Sequence, residues 1–92
     1  MINKKRLINL TRRLIRINSQ NPPGDEFRIA RYVKNYLEKL GLKTKIYEFK
    51  KRRSNVVAVL AGKNKKYYLL ITPHLDTVPC GLNWHFNPLW GK

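Results

Sequence analysis

The chain has 92 residues, which is enough for one small domain but too few for two lobes around a deep cleft. Its hydrophobic fraction of 42% and charged fraction of 27% are ordinary for a globular protein and argue against wholesale disorder. Twenty Lys and Arg residues against five acids give a net charge of +15, which attracts nucleic acid and other polyanions. No apolar run is long enough to span a membrane, and the single cysteine, Cys80, predicts a reducing compartment, the cytoplasm.

Two amphipathic helices are predicted in the first half of the chain. Apolar residues recur every three or four positions from Asn3 to Ile17, and basic residues occupy the opposite side, where solvated charges are expected. After a Pro-Pro-Gly turn at 22–24, a second helix is expected from about Asp25, whose carboxylate would favour the positive end of the helix dipole. Gly41 has the right position to end this helix as its C′ residue.

Three short strands are predicted after Gly41. Residues 43–50 combine β-branched and aromatic side chains with lysines, which is typical of an edge strand. Residues 55–61 and 67–72 are short apolar runs, the pattern of strands buried on both faces, and the polar turns between the strands suggest hairpins. We therefore expect an α/β fold in which two N-terminal helices pack on a sheet of about three strands.

The last segment, residues 81–92, contains large apolar side chains without any periodicity. Because no pattern directs these side chains inward, we expect the segment to pack loosely and its amides to exchange freely. The side chains concerned are Trp84, Phe86, Leu89 and Trp90.

His74 and Asp76 directly follow the third predicted strand, and loops at strand ends often carry the chemistry of α/β folds. A neutral imidazole is a common metal ligand, and a carboxylate can accept a hydrogen bond from its other ring nitrogen. The spacing alone leaves three interpretations open. His74 could be a structural residue, one ligand of a larger metal centre, or part of a self-contained site with Asp76, Cys80 and His85.

Several motifs occur in a characteristic order. They are Asn-Pro-Pro-Gly at 21–24, Leu-Glu-Lys-Leu-Gly at 37–41, Ser-Asn-Val-Val-Ala at 54–58, His-Leu-Asp-Thr-Val-Pro at 74–79 and Asn-Pro-Leu at 87–89. Together they resemble the N-terminal part of the M20 metallopeptidase family, which includes acetylornithine deacetylases, succinyl-diaminopimelate desuccinylases, aminoacylases and carboxypeptidases. Pro73 is a departure, since the family usually has a small residue before the histidine.

The resemblance implies a metal-dependent hydrolase that cleaves an amide bond in an N-acyl amino acid or a peptide. It implies that His74 binds one ion of a two-zinc or two-cobalt centre, and that Asp76 orients His74 and assists catalysis. The family's other metal ligands, its general base and its lid domain have no counterpart in the sequence. We therefore interpret residues 1–92 as a truncated N-terminal part of a catalytic domain that is inactive by itself.

The basic residues support an alternative hypothesis, a small module that binds nucleic acid or other polyanions. Basic clusters at 50–53 and 63–66 could contact phosphates, although hairpin tips commonly carry solvated lysines. The chain has no motif that reads bases, so we expect DNA binding without sequence preference and with a steep salt dependence. We expect no specific nucleic-acid partner and no membrane partner, and the sequence leaves the oligomeric state open.

Overall fold

The computed structural model describes residues 2–91, so Met1 and Lys92, the two ends of the predicted domain, lie outside the described residues. Two helices precede two strands: α1 (Lys4–Arg16), α2 (Phe27–Lys39), β1 (Lys43–Lys50) and β2 (Arg53–Val59). This order confirms the predicted α/β class with two N-terminal helices. None of the helices in this part of the chain has the length and apolarity that a bilayer span requires.

The strands form an antiparallel hairpin in which Thr44 is opposite Ala58 and Ile46 is opposite Val56. Lys51 and Arg52 connect them, and Arg52 has a φ of 63°, which is the left-handed conformation typical of a tight hairpin turn. The bounds of β1 agree with the predicted edge strand, and β2 begins two residues earlier than predicted.

One face of the hairpin is covered and the other is exposed. Alternate residues along each strand are partly buried, among them Ile46 and Val56, and α2 is the helix that packs on both strands. Val57 and Val59, which alternate with them, remain exposed. The prediction that β2 is buried on both faces is therefore wrong, because a helix covers only one side of the sheet.

The start and the end of α2 differ in how well the sequence predicted them. Gly41, with a φ of 92°, donates its N–H to the carbonyl of Glu38, and Leu42 donates to Leu37. These two bonds form a Schellman motif and confirm the predicted C-terminus. At the other end, α2 begins at Phe27, so Asp25 precedes the first turn.

The first helix, α1, is capped by the side chain of Asn3, which accepts a hydrogen bond of 3.0 Å from the backbone N–H of Arg6. None of its residues is buried. Near its C-terminus, Arg16 Nε donates a 2.7 Å hydrogen bond to the carbonyl of Trp90. The final segment, which we expected to pack loosely, is therefore attached to α1 at this point.

Residues 67–72 do not form the predicted third strand within the structure described. Their side chains from Tyr67 to Ile71 are between 71% and 92% exposed. An apolar run favours an extended conformation, but a strand also needs a hydrogen-bonding neighbour on at least one side. Within residues 2–91, β2 pairs with β1, and residues 70–76 line a cleft on the other side from residues 54–58 of β2.

Candidate functional site

A cleft of about 600 Å³ lies between β2 and the segment that carries the His-Leu-Asp motif. Residues 54–58 form one wall and residues 70–76 form the other, and Glu26 and Arg53 also line it. The structure therefore brings both predicted site residues, His74 and Asp76, to the same cleft. This cleft is the candidate functional site.

The imidazole of His74 is held by the backbone of Asp76. Nδ1 of His74 lies 2.7 Å from the carbonyl oxygen of Asp76, and its side chain is 84% exposed. Because a carbonyl oxygen only accepts hydrogen bonds, Nδ1 is the donor in this contact, and in the neutral imidazole the lone pair is then on Nε2. The carboxylate oxygen Oδ1 of Asp76 is farther away, at 3.5 Å. The acceptor thus differs from the carboxylate that we expected.

The carboxylate of Asp76 contacts a loop that precedes α2. Asn21 Nδ2 donates to Oδ2 of Asp76 at 3.2 Å. The backbone of the same loop bonds to Thr77, the residue after Asp76: Asn21 N donates to Thr77 O at 2.7 Å, and Thr77 N donates to Ser19 O at 3.1 Å. The hydroxyl of Ser19 donates to the carbonyl of Leu75. These bonds join the Asn-Pro-Pro-Gly motif to the His-Leu-Asp motif.

An ion pair between a buried carboxylate and a half-buried arginine also lies at the cleft. Arg53 Nε donates to both carboxylate oxygens of Glu26, at 2.7 and 2.9 Å, and Glu26 is only 5% exposed. A buried carboxylate is costly unless a cation pairs with it, so Arg53 is needed here. The hydrogen bond to Glu26, together with the negative charges of Glu26 and Asp76, raises the pKa of Arg53.

Sequence reasoning missed Arg53 and Glu26 as a pair, although a signal was present. Two adjacent acids, Asp25 and Glu26, pair in order with two adjacent arginines, Arg52 and Arg53; Arg52 Nε lies 2.9 Å from Asp25 Oδ2. The chain has only five acids, so two adjacent ones indicate that a pair of adjacent arginines could bind them. From the sequence alone, the same arginines are expected at a solvated hairpin tip.

The described residues contain no group of three His, Cys, Asp or Glu side chains that could hold a metal ion. The self-contained site of His74, Asp76, Cys80 and His85 is therefore not formed. Cys80 is held through its backbone, since its carbonyl accepts a bond from the indole N–H of Trp84. His74 fits a metal as a single ligand, because its imidazole is exposed and, in the neutral form, Nε2 carries the lone pair.

Ser54 adds a polar group to the β2 wall of the cleft. It is 3% exposed, and its hydroxyl forms no hydrogen bond with residues 2–91. Buried hydroxyls are usually hydrogen-bonded, so a buried Ser54 hydroxyl without such a bond in residues 2–91 is unusual.

A search of known proteins finds one relative that bears on this site. Over 77 residues the chain is 32% identical to N-formyl-4-amino-5-aminomethyl-2-methylpyrimidine deformylase of Halalkalibacterium halodurans. The match covers 80% of this chain but 18% of the relative, so the chain spans less than a fifth of that protein's length. No family model matches the chain, and no solved structure matches it. The similarity supports a relationship between this chain and part of a hydrolase.

Proposed function

We propose that this chain forms the N-terminal part of the catalytic domain of a metal-dependent amide hydrolase of the M20 type. The His-Leu-Asp-Thr-Val-Pro motif and the similarity to a deformylase support this proposal. The geometry at His74 carries the most weight. The imidazole lies at a cleft and is bonded through Nδ1, which in the neutral ring leaves Nε2 as the nitrogen that can bind a metal.

In this proposal His74 would hold a zinc or cobalt ion through Nε2, and the carbonyl of Asp76 would keep the ring in position. Such an ion polarises an amide carbonyl and activates water. The carboxylate of Asp76, held by Asn21, assists catalysis. A catalytic zinc normally has about three protein ligands, so His74 would supply one of them, and the other ligands and the general base would have to come from residues other than those described.

The proposed substrate is an N-acyl amino acid or a peptide that is cleaved at an amide bond. The relative's name describes the removal of a formyl group from an N-formyl compound, which is also an acyl group on nitrogen. The two kinds of substrate share the amide bond that is broken, and they differ in the acyl group and the amine. The cytoplasmic location stays a prediction from the single cysteine.

A chimera with the relative tests this function. The matched segment of the Halalkalibacterium halodurans deformylase is replaced by the corresponding residues of this chain, and deformylation is measured with zinc or cobalt. We expect measurable activity, and its loss to background in His74→Ala, because one ligand is removed. His85→Ala is the matched control, since His85 is exposed and does not line the cleft. The proposal would be contradicted if the folded chimera with His74→Ala were as active as the chimera without this substitution.

A further inference from the structure

A groove of about 340 Å³ lies between α1 and α2 and shares no lining residue with the cleft at His74. The first helix contributes Lys5, Arg6 and Arg13, and the second contributes Tyr32 and Tyr36. We call it the basic groove. Because it shares no residue with the candidate active site, ligand binding there can be tested independently of the proposed hydrolase function.

The positive charge of the basic groove is not neutralised locally. Within residues 2–91, none of the three cations of the groove forms a salt bridge. The sequence of α1 contains no acid. Uncompensated cations along one groove raise the local positive potential and attract an anionic ligand.

Two aromatic side chains form the opposite side of the groove. Tyr32 and Tyr36 are four residues apart on α2, so they are neighbours on one helix face. Both are half-buried, which leaves part of each ring accessible. A row of cations beside accessible aromatic rings is the combination that binds single-stranded nucleic acid, whose bases stack on the rings while its phosphates follow the cations.

We propose that the basic groove binds single-stranded nucleic acid without sequence preference. A duplex offers the same phosphates, but its bases are already stacked on one another and cannot use the tyrosines. An anionic membrane is less suited to this groove, since the exposed apolar residues of α1, Leu7, Ile8 and Ile15, lie outside its lining. The occupant is therefore a flexible strand with unpaired bases.

Binding of a labelled oligo(dT) strand to the full chain, followed by fluorescence anisotropy at several salt concentrations, tests the cations. The variant Lys5→Ala/Arg6→Ala/Arg13→Ala is compared with a control that removes the same charge from an exposed turn, Lys63→Ala/Lys65→Ala/Lys66→Ala. We expect the groove variant to bind about ten-fold more weakly than the control, with a salt slope lower by about 2. Alanine favours helix, so α1 should persist, which circular dichroism checks. Equal weakening in the two variants would assign binding to total charge and overturn the proposal.

The tyrosines are tested without changing the charge. We expect Tyr32→Leu/Tyr36→Leu to weaken oligo(dT) binding by about ten-fold, to leave duplex binding nearly unchanged, and to be rescued by phenylalanine at both positions. An unchanged affinity in the leucine variant would overturn the proposal. The proposal would also be overturned if the chain bound vesicles of phosphatidylserine and phosphatidylcholine more tightly than oligo(dT), and if Leu7→Ser/Ile8→Ser abolished vesicle binding. That result would mean that α1 is a membrane-binding helix.

Discussion

Asn21 and Asp76 are joined by a hydrogen bond of 3.2 Å between Nδ2 and Oδ2, although 55 positions separate them in the chain. The bond connects the loop between the two helices with the loop that carries His74. Backbone bonds between Asn21, Ser19 and Thr77 reinforce the connection. The orientation of Asp76, and through its carbonyl that of His74, therefore depends on a segment that is remote in sequence.

Removing the amide of Asn21 should destabilise the fold. We expect Asn21→Ala to lower the free energy of unfolding by about 1 to 2 kcal/mol, because a hydrogen bond to a charged group is lost at a half-buried position. Urea denaturation measures this. Asn35→Ala, at an exposed position on α2, is the matched control and should change stability little. Equal effects of the two substitutions would mean that the Asn21–Asp76 bond contributes nothing measurable.

The two arginine–acid pairs at the start of α2 should differ in how much they contribute to thermal stability. Arg53→Ala leaves the buried carboxylate of Glu26 without its cation, whereas Arg52→Ala frees the more exposed Asp25. We therefore expect a clearly larger fall in the thermal midpoint for Arg53→Ala, measured by circular dichroism. Because the pKa of Arg53 is raised, its contribution is complete below the usual arginine pKa and is lost only as the pH rises through the folded value. The effect should thus be the same at neutral and at mildly alkaline pH.

Two glycines with positive φ allow the packing around Arg53 to be measured separately from backbone strain. Gly24 has a φ of 78°, and a Cβ there would lie 2.7 Å from Cζ of Arg53; Gly41 has a φ of 92° and open space around it. Gly41→Ala should cost about 1 to 2 kcal/mol through its backbone conformation alone. Gly24→Ala should cost more, and the excess should shrink when Arg53→Ala is added. An excess that stays unchanged in the double variant would show that Arg53 is not its source.

Local sequence signals were sufficient for the parts of the fold that depend on local forces. The bounds of β1 and the end of α2 at Gly41 follow from side-chain pattern and glycine geometry. The predicted third strand is not formed in residues 2–91, because strand pairing is non-local and the apolar pattern of residues 67–72 finds no strand partner within that range. At the site, the motif identified His74 and Asp76. The contact of Asp76 with Asn21 and the Glu26–Arg53 pair both join segments that are distant in the sequence.

The chain by itself should not hydrolyse amides. We expect no turnover of N-acyl amino acids above background with added zinc or cobalt, because the described residues bring no third metal-binding side chain to His74 and Asp76. A chromatographic assay of the released amine measures this. Metal-dependent turnover that disappears in His74→Ala and persists in His85→Ala would mean that the site is more complete than its geometry indicates.

Amide hydrogen exchange should divide the chain into regions of different protection. The amides that bond between β1 and β2, and those inside α2, should exchange slowly, because the hairpin and helix pack on each other around Ile29 and Ala30. The amides of residues 68–71 should exchange rapidly, since none of them has a backbone acceptor among the described residues. This differs from our expectation from the sequence, in which that run was a protected strand.

The final segment should fall between these two limits. Trp90 N donates to Asn87 O in a local turn, and Gly91 is buried beside the carbonyl of Arg12. The bond from Arg16 Nε to the carbonyl of Trp90 also attaches this segment to α1, so we expect Arg16→Ala to lower the protection of the segment while leaving the hairpin unchanged. Arg28→Ala is an exposed arginine control.

If residues 68–71 are instead as protected as the hairpin, they have found a strand partner. Loss of that protection on dilution would identify the partner as a second copy, because an intramolecular strand is independent of concentration.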